Sequence, residues 1–301
     1  VENDTLVTGY RQTHGWARTR TVYFAIAFSK AFKSFGLVNE EKLVYNGFWR
    51  KFDQNSNFPE NAGREIKSHF DFETSANEQI LMKVAISPVS ANGAVNNLIA
   101  EVPHWDFEKI KKQGQEQWDS ELSKIEIESL NDDDKTTFYT SLYHTYMGPT
   151  VYMDIDGNYK GIDQNVHTAK GFTNYTTFSL WDTYRALHPL FNIIQPSRNV
   201  DMIKSMLAHY SQSVHKMLPV WSHYANENWC MIGYHAVSLL ADAIVKGNSD
   251  FDTELALQAA VQTANNGWYD GLEHYIEMGY VPEDKSGNSV SKTLEYAYDD
   301  W

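Results

Sequence analysis

Residues 22 to 28 of this 301-residue chain are Val-Tyr-Phe-Ala-Ile-Ala-Phe. The larger side chains recur at every second position from Val22 to Phe28, the period of a β-strand with one strongly buried face. Similar runs lie at Ile66 to Phe72 and Ile80 to Ile86, and Asn, Ser and Gly are enriched at 53 to 63 and 90 to 97, which predicts turns there. These strands predict an N-terminal β-sandwich.

The pattern becomes helical further along the chain. No long helix is indicated before about residue 105, whereas Trp105 to Leu122 has the polar composition and apolar spacing of a linker helix. Asn131 precedes three aspartates and is a candidate N-cap of the next helix. Apolar residues then recur at helical spacing within 200 to 214, 231 to 243 and 255 to 260, so the second half is predicted to be mainly helical.

Helical spacing also continues to the last residue. Leu294, Ala297, Tyr298 and Trp301 follow the i, i+3, i+4, i+7 pattern, without a Gly or Pro that would end the helix. We therefore expect the chain to be part of a longer protein.

Composition narrows the possible functions. The chain is 42% hydrophobic and 14% aromatic, which indicates folded domains. Its 39 acidic and 25 basic residues give a net charge of -14, which argues against nucleic acid as a partner. No apolar run is long enough to predict a membrane-spanning segment. The single cysteine, Cys230, excludes an intramolecular disulfide.

Several acidic residues stand beside aromatic ones. Trp181 precedes Asp182, Glu227 lies two positions before Trp229, and Glu295 is followed by Asp299, Asp300 and Trp301. Carboxylates accept hydrogen bonds from sugar hydroxyls and aromatic rings stack on sugar C–H faces, so the mixture suits a carbohydrate site. The same residues could instead be core aromatics with surface or capping carboxylates.

Residues 154 to 165 contain several Asp and Asn residues and superficially resemble a calcium-binding loop. An EF-hand needs Gly at its sixth position and Glu at its twelfth, whereas Gly157 is fourth and Asn165 twelfth. The Asp156-Gly157 pair between β-prone residues predicts a hairpin instead.

A set of motifs spread along the chain in a fixed order resembles glycoside hydrolase family 92. The matching stretches are Gly9–Ala17, Tyr139–His144, Phe178–Arg185, Met206–Tyr210, Leu218–Trp221, Cys230–Ala236 and Ser291–Asp300. The resemblance implies a calcium-dependent, exo-acting α-mannosidase that is exported to the periplasm or outside the cell and that trims N-glycans or related mannosides.

The resemblance also implies an architecture. We expect a β-sandwich domain over residues 1–106, a helical linker over 107–130 and the first half of an (α/α)6 barrel over 131–301. The family inverts the anomeric centre with a Glu acid, an Asp-held water and a calcium ion. The resemblance implies that the acid, the base and the calcium ligands lie outside this chain, so none is assigned to a residue here.

The only site residues of the family that the resemblance assigns to positions in this chain are residues that contact the substrate. Asp182 corresponds to the family's contact with the terminal mannose, and Trp181 to the pocket wall. Glu227 and Glu295 are weaker candidates. A mannose-containing glycan is the expected partner.

Two other functions stay open at this point. The chain could be a non-catalytic carbohydrate-binding or interaction protein built from a truncated mannosidase scaffold. It could also belong to another class of sandwich-plus-barrel enzyme, such as a phosphorylase or a lyase, although the ordered motifs argue against this.

Overall fold

A computed structural model of the chain describes residues 1–39 and 63–301. The turn that we predict at 53 to 63 therefore lies outside the described residues except for Gly63. Two compact units are present: Val1–Arg11 with Val22–Phe107, and Gln12–Thr21 with Glu108–Trp301. The boundaries predicted from the sequence, at 106 and 130, stay predictions.

The first unit is built mainly from antiparallel strands. In the order β1-β2-β5, three strands form one sheet, and β3 pairs with β4 in a second. The elements are β1 (Leu6–Thr13), β2 (Arg20–Phe28), β3 (Ser34–Asn39), β4 (Ile66–Asp71), β5 (Met82–Ser87) and helix α1 (Ala91–Glu101). The expectation of a β-rich N-terminal part is confirmed.

Helix α1 corrects the prediction of a turn at 90 to 97 and of no long helix before residue 105. Ser90 caps it by accepting a hydrogen bond from the Gly93 N–H at 2.9 Å. Ala94 and Leu98, four positions apart, are both buried. The N-cap and this apolar spacing outweigh the turn-forming composition.

The buried face of the first sheet is also not the predicted one. Ala25 is fully buried, whereas the larger side chains of β2 are only half-buried. Ala25 packs with Ala85, its cross-strand partner on β5, and with Ala94 and Leu98 of α1. Small side chains let the helix approach the sheet closely, so α1 covers the alanine face.

The second unit contains most of the helices and several short strands. Its elements are α2 (Phe107–Leu122, whose first residue belongs to the first unit), α3 (Asp132–Thr145), β6 (Thr150–Val151), β7 (Asn158–Lys160), β8 (Val166–Thr168), β9 (Tyr175–Thr176), β10 (Phe178–Ser179), α4 (Leu180–Thr183), α5 (Leu187–Ile194), α6 (Pro196–Gln212), β11 (Trp221–His223), β12 (Asn226–Glu227), α7 (Ala236–Val245), α8 (Thr253–Ala264), α9 (Leu272–Met278) and α10 (Ser289–Asp300). The predicted change to helical structure is confirmed.

The hairpin connection predicted at Asp156-Gly157 is present as a tight turn, with the Asp154 N–H donating to the Asn158 carbonyl at 2.8 Å. The Gly157 N–H donates to the Asp154 carbonyl at 2.8 Å, and Gly157 takes a positive φ of 83°. The strand that follows, β7, pairs with β8 rather than with the strand before the turn. The Asp-Gly signal therefore marks the turn correctly but not its strand partners.

Helices α5 to α8 form the main core of the second unit. Helix α6 begins with Pro196, which suits a first helical position, and buries Ile203 and Met206 completely. These side chains pack with Leu239 of α7 and Ala259 of α8. None of the helices in the described ranges is long and apolar enough to cross a membrane.

This core gives a direct test. Ile203→Ala should lower the free energy of unfolding by about 2–5 kcal/mol, because it removes buried methyl groups and leaves a cavity. Ile193→Ala is the matched control, since Ile193 is also helical but 72% exposed. Urea denaturation followed by circular dichroism measures both, and equal losses would contradict the assignment of Ile203 to the core.

A buried histidine predicts a dependence of stability on pH. Burial lowers the pKa of His188 to about 4, and its Nδ1 lies 2.7 Å from the Asn199 side-chain oxygen. An unfolded histidine binds its proton near pH 6.5, so between pH 6.5 and 4 the unfolded state holds more protons. His188 should therefore cost about 2 kcal/mol of stability between pH 7.5 and pH 5.

His188→Gln removes this titration and should flatten the decline. His215→Gln, at an exposed histidine, should leave the slope unchanged. The measurement is the free energy of unfolding of each protein at both pH values. Parallel declines in the parent protein and in His188→Gln would contradict the prediction.

Candidate functional site

Asp182 and Trp181 lie on α4, directly after a small three-stranded sheet in the order β10-β11-β12. Ser179 pairs with Trp221, and Phe178 pairs with Ser222. Directly opposed side chains share a face, so Phe178 and Ser222, both buried, define an inner face. Ser179 and Trp221 therefore define the outer face.

Asp182 is exposed beside the outer face. Its carboxylate accepts a hydrogen bond from the Ser179 hydroxyl, which holds it near that edge of the sheet. Trp181 is half-buried, and its indole N–H is buried with no hydrogen-bond acceptor among the described residues. The exposed carboxylate therefore has oxygen lone pairs available for a ligand.

The inner face does not offer a comparable site. His209 and Ser222 line a cavity of about 30 Å³, which has room for about two water molecules. Burial lowers the pKa of His209 to about 4, so this ring is neutral near pH 7. This small buried cavity differs from the outer face, beside which Asp182 is exposed.

Glu295 of α10 binds the segment that follows Asp182. Its carboxylate accepts hydrogen bonds from the Tyr184 hydroxyl at 2.7 Å and from the Arg185 guanidinium at 2.6 Å. Burial and the adjacent carboxylate raise the pKa of Tyr184, so its hydroxyl stays a donor. Glu295 thus connects α10 to the two residues after α4.

Two buried residues, His235 and Asp299, continue this set of contacts from Tyr184 into the protein interior. The Tyr184 ring stacks on the His235 ring at 3.8 Å, with the planes 6° apart. His235 Nδ1 lies 2.8 Å from an Asp299 carboxylate oxygen, and the other oxygen accepts the Tyr234 N–H at 2.7 Å. Burial raises the pKa of Asp299, while these two partners oppose the rise.

Glu227 has a different setting from the other candidates. It pairs with Ser222 and shares the inner face, and it lies 3.8 Å from His209 Nε2. Its carboxylate accepts four backbone N–H groups at 2.8–3.1 Å, from Val220, Trp221, Asn228 and Trp229. Its role as a sugar ligand stays a prediction. Its hydrogen bonds all come from backbone N–H groups in or next to the β11–β12 hairpin.

Asp182 and Glu295 stay predicted site residues, whereas Ser179 and Tyr184, which donate hydrogen bonds to them, are not among the predicted site residues. Ser179 had a readable signal, because a hydroxyl residue three positions before a carboxylate at a helix start is a capping pattern. Tyr184 and Asp299 had none, since their contacts join residues that are far apart in the chain.

Two family models match almost the whole chain. Residues 1–87 match the glycosyl hydrolase family 92 N-terminal domain, and residues 93–301 match the glycosyl hydrolase family 92 catalytic domain.

Solved structures and one curated protein agree with these matches. A family GH92 α-mannosidase from Bacteroides thetaiotaomicron, also solved with mannoimidazole, is 48% identical, with a TM-score of 0.90 over 100% of this chain and 40% of its own. A family GH92 inverting mannosidase from the same bacterium is 30% identical, with a TM-score of 0.82 over 99% of this chain and 40% of its own. An uncharacterized secreted glycosidase from Arthroderma benhamiae is 24% identical over 78% of this chain and 29% of its own length. The chain thus spans less than half the length of these proteins.

The contacts of Glu227 yield a prediction. Glu227→Gln should lower the free energy of unfolding by roughly 2 kcal/mol or more, because the amide replaces one acceptor oxygen with a donor that faces backbone N–H groups. Glu277→Gln, at an exposed position of α9, should change it by less than about 0.5 kcal/mol. Thermal denaturation compares the two, and equal stability of both variants would show that the four contacts are unimportant.

Proposed function

The chain belongs to glycosyl hydrolase family 92, and from this membership we propose that it holds the terminal mannose in an exo-acting α-mannosidase. The observation that carries the proposal is Asp182, an exposed carboxylate held by Ser179 in a chain whose solved relatives include an α-mannosidase complexed with mannoimidazole. Asp182 would accept hydrogen bonds from the hydroxyls of the terminal mannose, and Trp181 would form the wall behind the ring.

Glu295 is the second carboxylate that we place in this site. It lies beside the Arg185 side chain, which is 60% exposed, and the ion pair between them is 2.6 Å long. Arg185 could donate to a sugar hydroxyl while Glu295 keeps its guanidinium in place. Asp182 and Arg185 would then present an acceptor and a donor from successive turns of the chain.

We propose inversion at the anomeric carbon as the reaction. In the general inverting scheme one carboxylic acid protonates the leaving oxygen, and a carboxylate on the opposite side of the ring activates a water. The carboxylates of Glu295 and Asp299 are both engaged, by Tyr184 and by His235. As the resemblance to the family implies, we propose that the acid and the base lie outside this chain.

Calcium is the cofactor that the family implies. Across residues 1–39 and 63–301, no three His, Cys, Asp or Glu side chains converge so as to hold a metal ion. The residues described here do not fit a calcium site, so no step above involves the ion.

The proposal also covers the architecture, the substrates and the cellular location of the protein. We propose a β-sandwich for the N-terminal part, an (α/α)6 barrel for the helical part and N-glycans or related mannosides as substrates. Export from the cell is supported by the secreted glycosidase from Arthroderma benhamiae. The family matches favour this enzyme over a non-catalytic interaction protein.

The proposal predicts mannose binding that depends on Asp182. Asp182→Asn should weaken binding of methyl α-mannoside by roughly 10-fold or more, because a charged hydrogen-bond acceptor is replaced by a neutral amide of the same shape. Asp119→Asn, on the exposed surface of α2, is the matched control and should bind like the parent protein. Ligand-observed NMR titration of the 301-residue chain measures these affinities.

Equal affinities of the two variants would contradict the placement of mannose at Asp182. The same chain should not hydrolyse an aryl α-mannoside, with or without calcium, and turnover would place the acid and base within it.

A further inference from the structure

Two tryptophans form an exposed aromatic surface next to Asp182. Trp16 stacks on Trp221 with ring centroids 6.1 Å apart and planes 30° apart. The Trp16 side chain is 63% exposed, whereas Trp221 is half-buried. Both lie in the second unit, which includes residues 12–21.

The loop that carries Trp16 is held firmly on the outer face of the small sheet. Asn226 lies opposite His223, on the same face as Trp221. Its side-chain oxygen accepts the Thr19 N–H at 3.2 Å, and its amide donates to the Thr19 carbonyl at 3.1 Å. The Arg20 guanidinium lies 3.7 Å from the centroid of the Tyr224 ring. The exposed indole is therefore held in place by its loop rather than by its own burial.

The sheet register places this surface beside the proposed mannose site. Ser179 and Trp221 are directly opposed and share the outer face, and the Ser179 hydroxyl donates to Asp182. Trp221 is thus the tryptophan nearer to Asp182, and Trp16 is the next ring outward. A glycan that extends from Asp182 along the outer face past Trp221 would reach Trp16.

We propose that Trp16 stacks on the penultimate sugar of the substrate, the one released when the terminal mannose is cleaved. The inference rests on the proposed function and adds a subsite to it. An indole face packs against the C–H face of a pyranose ring and gains affinity without a charge, which suits a neutral glycan.

The surroundings of Trp16 favour a sugar over a protein partner. Protein interfaces need a large contiguous surface. The exposed ring here is the Trp16 indole, with Trp221 half-buried against it, and the exposed chain neighbours of Trp16 are Gly15 and the polar residues His14 and Arg18. Such a single exposed ring among polar groups matches one sugar unit in size and chemistry.

The test compares a monosaccharide with a disaccharide on the 301-residue chain. Trp16→Ala should raise the Kd of α-1,2-mannobiose about fivefold, the loss of one aromatic stacking contact, and leave the Kd of methyl α-mannoside unchanged. Trp16→Phe should restore most of the affinity. Trp268→Ala is the control, because Trp268 is 51% exposed in a different loop. Circular dichroism checks that each variant is folded.

The other outcomes of this experiment distinguish the subsite from the proposed function. An unchanged Kd for mannobiose in Trp16→Ala would overturn the subsite, and if Asp182→Asn still weakened both sugars the proposed function would stand. Equal weakening of both sugars by Trp16→Ala would place the indole at the terminal mannose and also overturn the inference. If the parent chain bound neither sugar, the proposed function and the subsite would fail together.

Discussion

The segment around Asp182 depends on two carboxylates of α10. Glu295 binds Tyr184 and Arg185, and Asp299 binds His235, on which Tyr184 stacks. A buried carboxylate is costly without partners, so each of these groups requires the others to be in place. Helix α10 thereby holds Tyr184 and Arg185, the two residues that follow α4, whereas Asp182 itself is held by Ser179.

The two faces of the small sheet carry different side chains because successive residues of its strands point to opposite sides. On the inner face, Glu227 gathers four backbone N–H groups and shapes the β11–β12 hairpin. On the outer face, Asn226 anchors the loop that carries Trp16. Of the two neighbouring residues of β12, Glu227 therefore stabilises the hairpin and Asn226 holds the Trp16 loop.

Much of this arrangement follows from the sequence. Period-2 runs locate β2 and β5, and helical spacing locates α6 and α8, because these patterns report local geometry. The alternation failed for the buried face of β2, where packing of α1 on small side chains decided the outcome.

At the candidate site, too, the sequence indicates local features but not contacts between distant residues. The Trp-Asp pair at 181 and 182 is recognisable from its resemblance to a family motif. The hydrogen bonds of Glu295 to Tyr184 and Arg185 and the stacking of Trp16 on Trp221 span 110 or more residues of sequence, so neither local periodicity nor composition could reveal them. The central claim that results is that Asp182 binds hydroxyls of the terminal mannose. A crystal structure of this chain with mannoimidazole tests it most directly. The account predicts a hydroxyl of the inhibitor within hydrogen-bond distance of the Asp182 carboxylate on the outer face of the sheet. An inhibitor bound elsewhere, with Asp182 facing solvent, would contradict it.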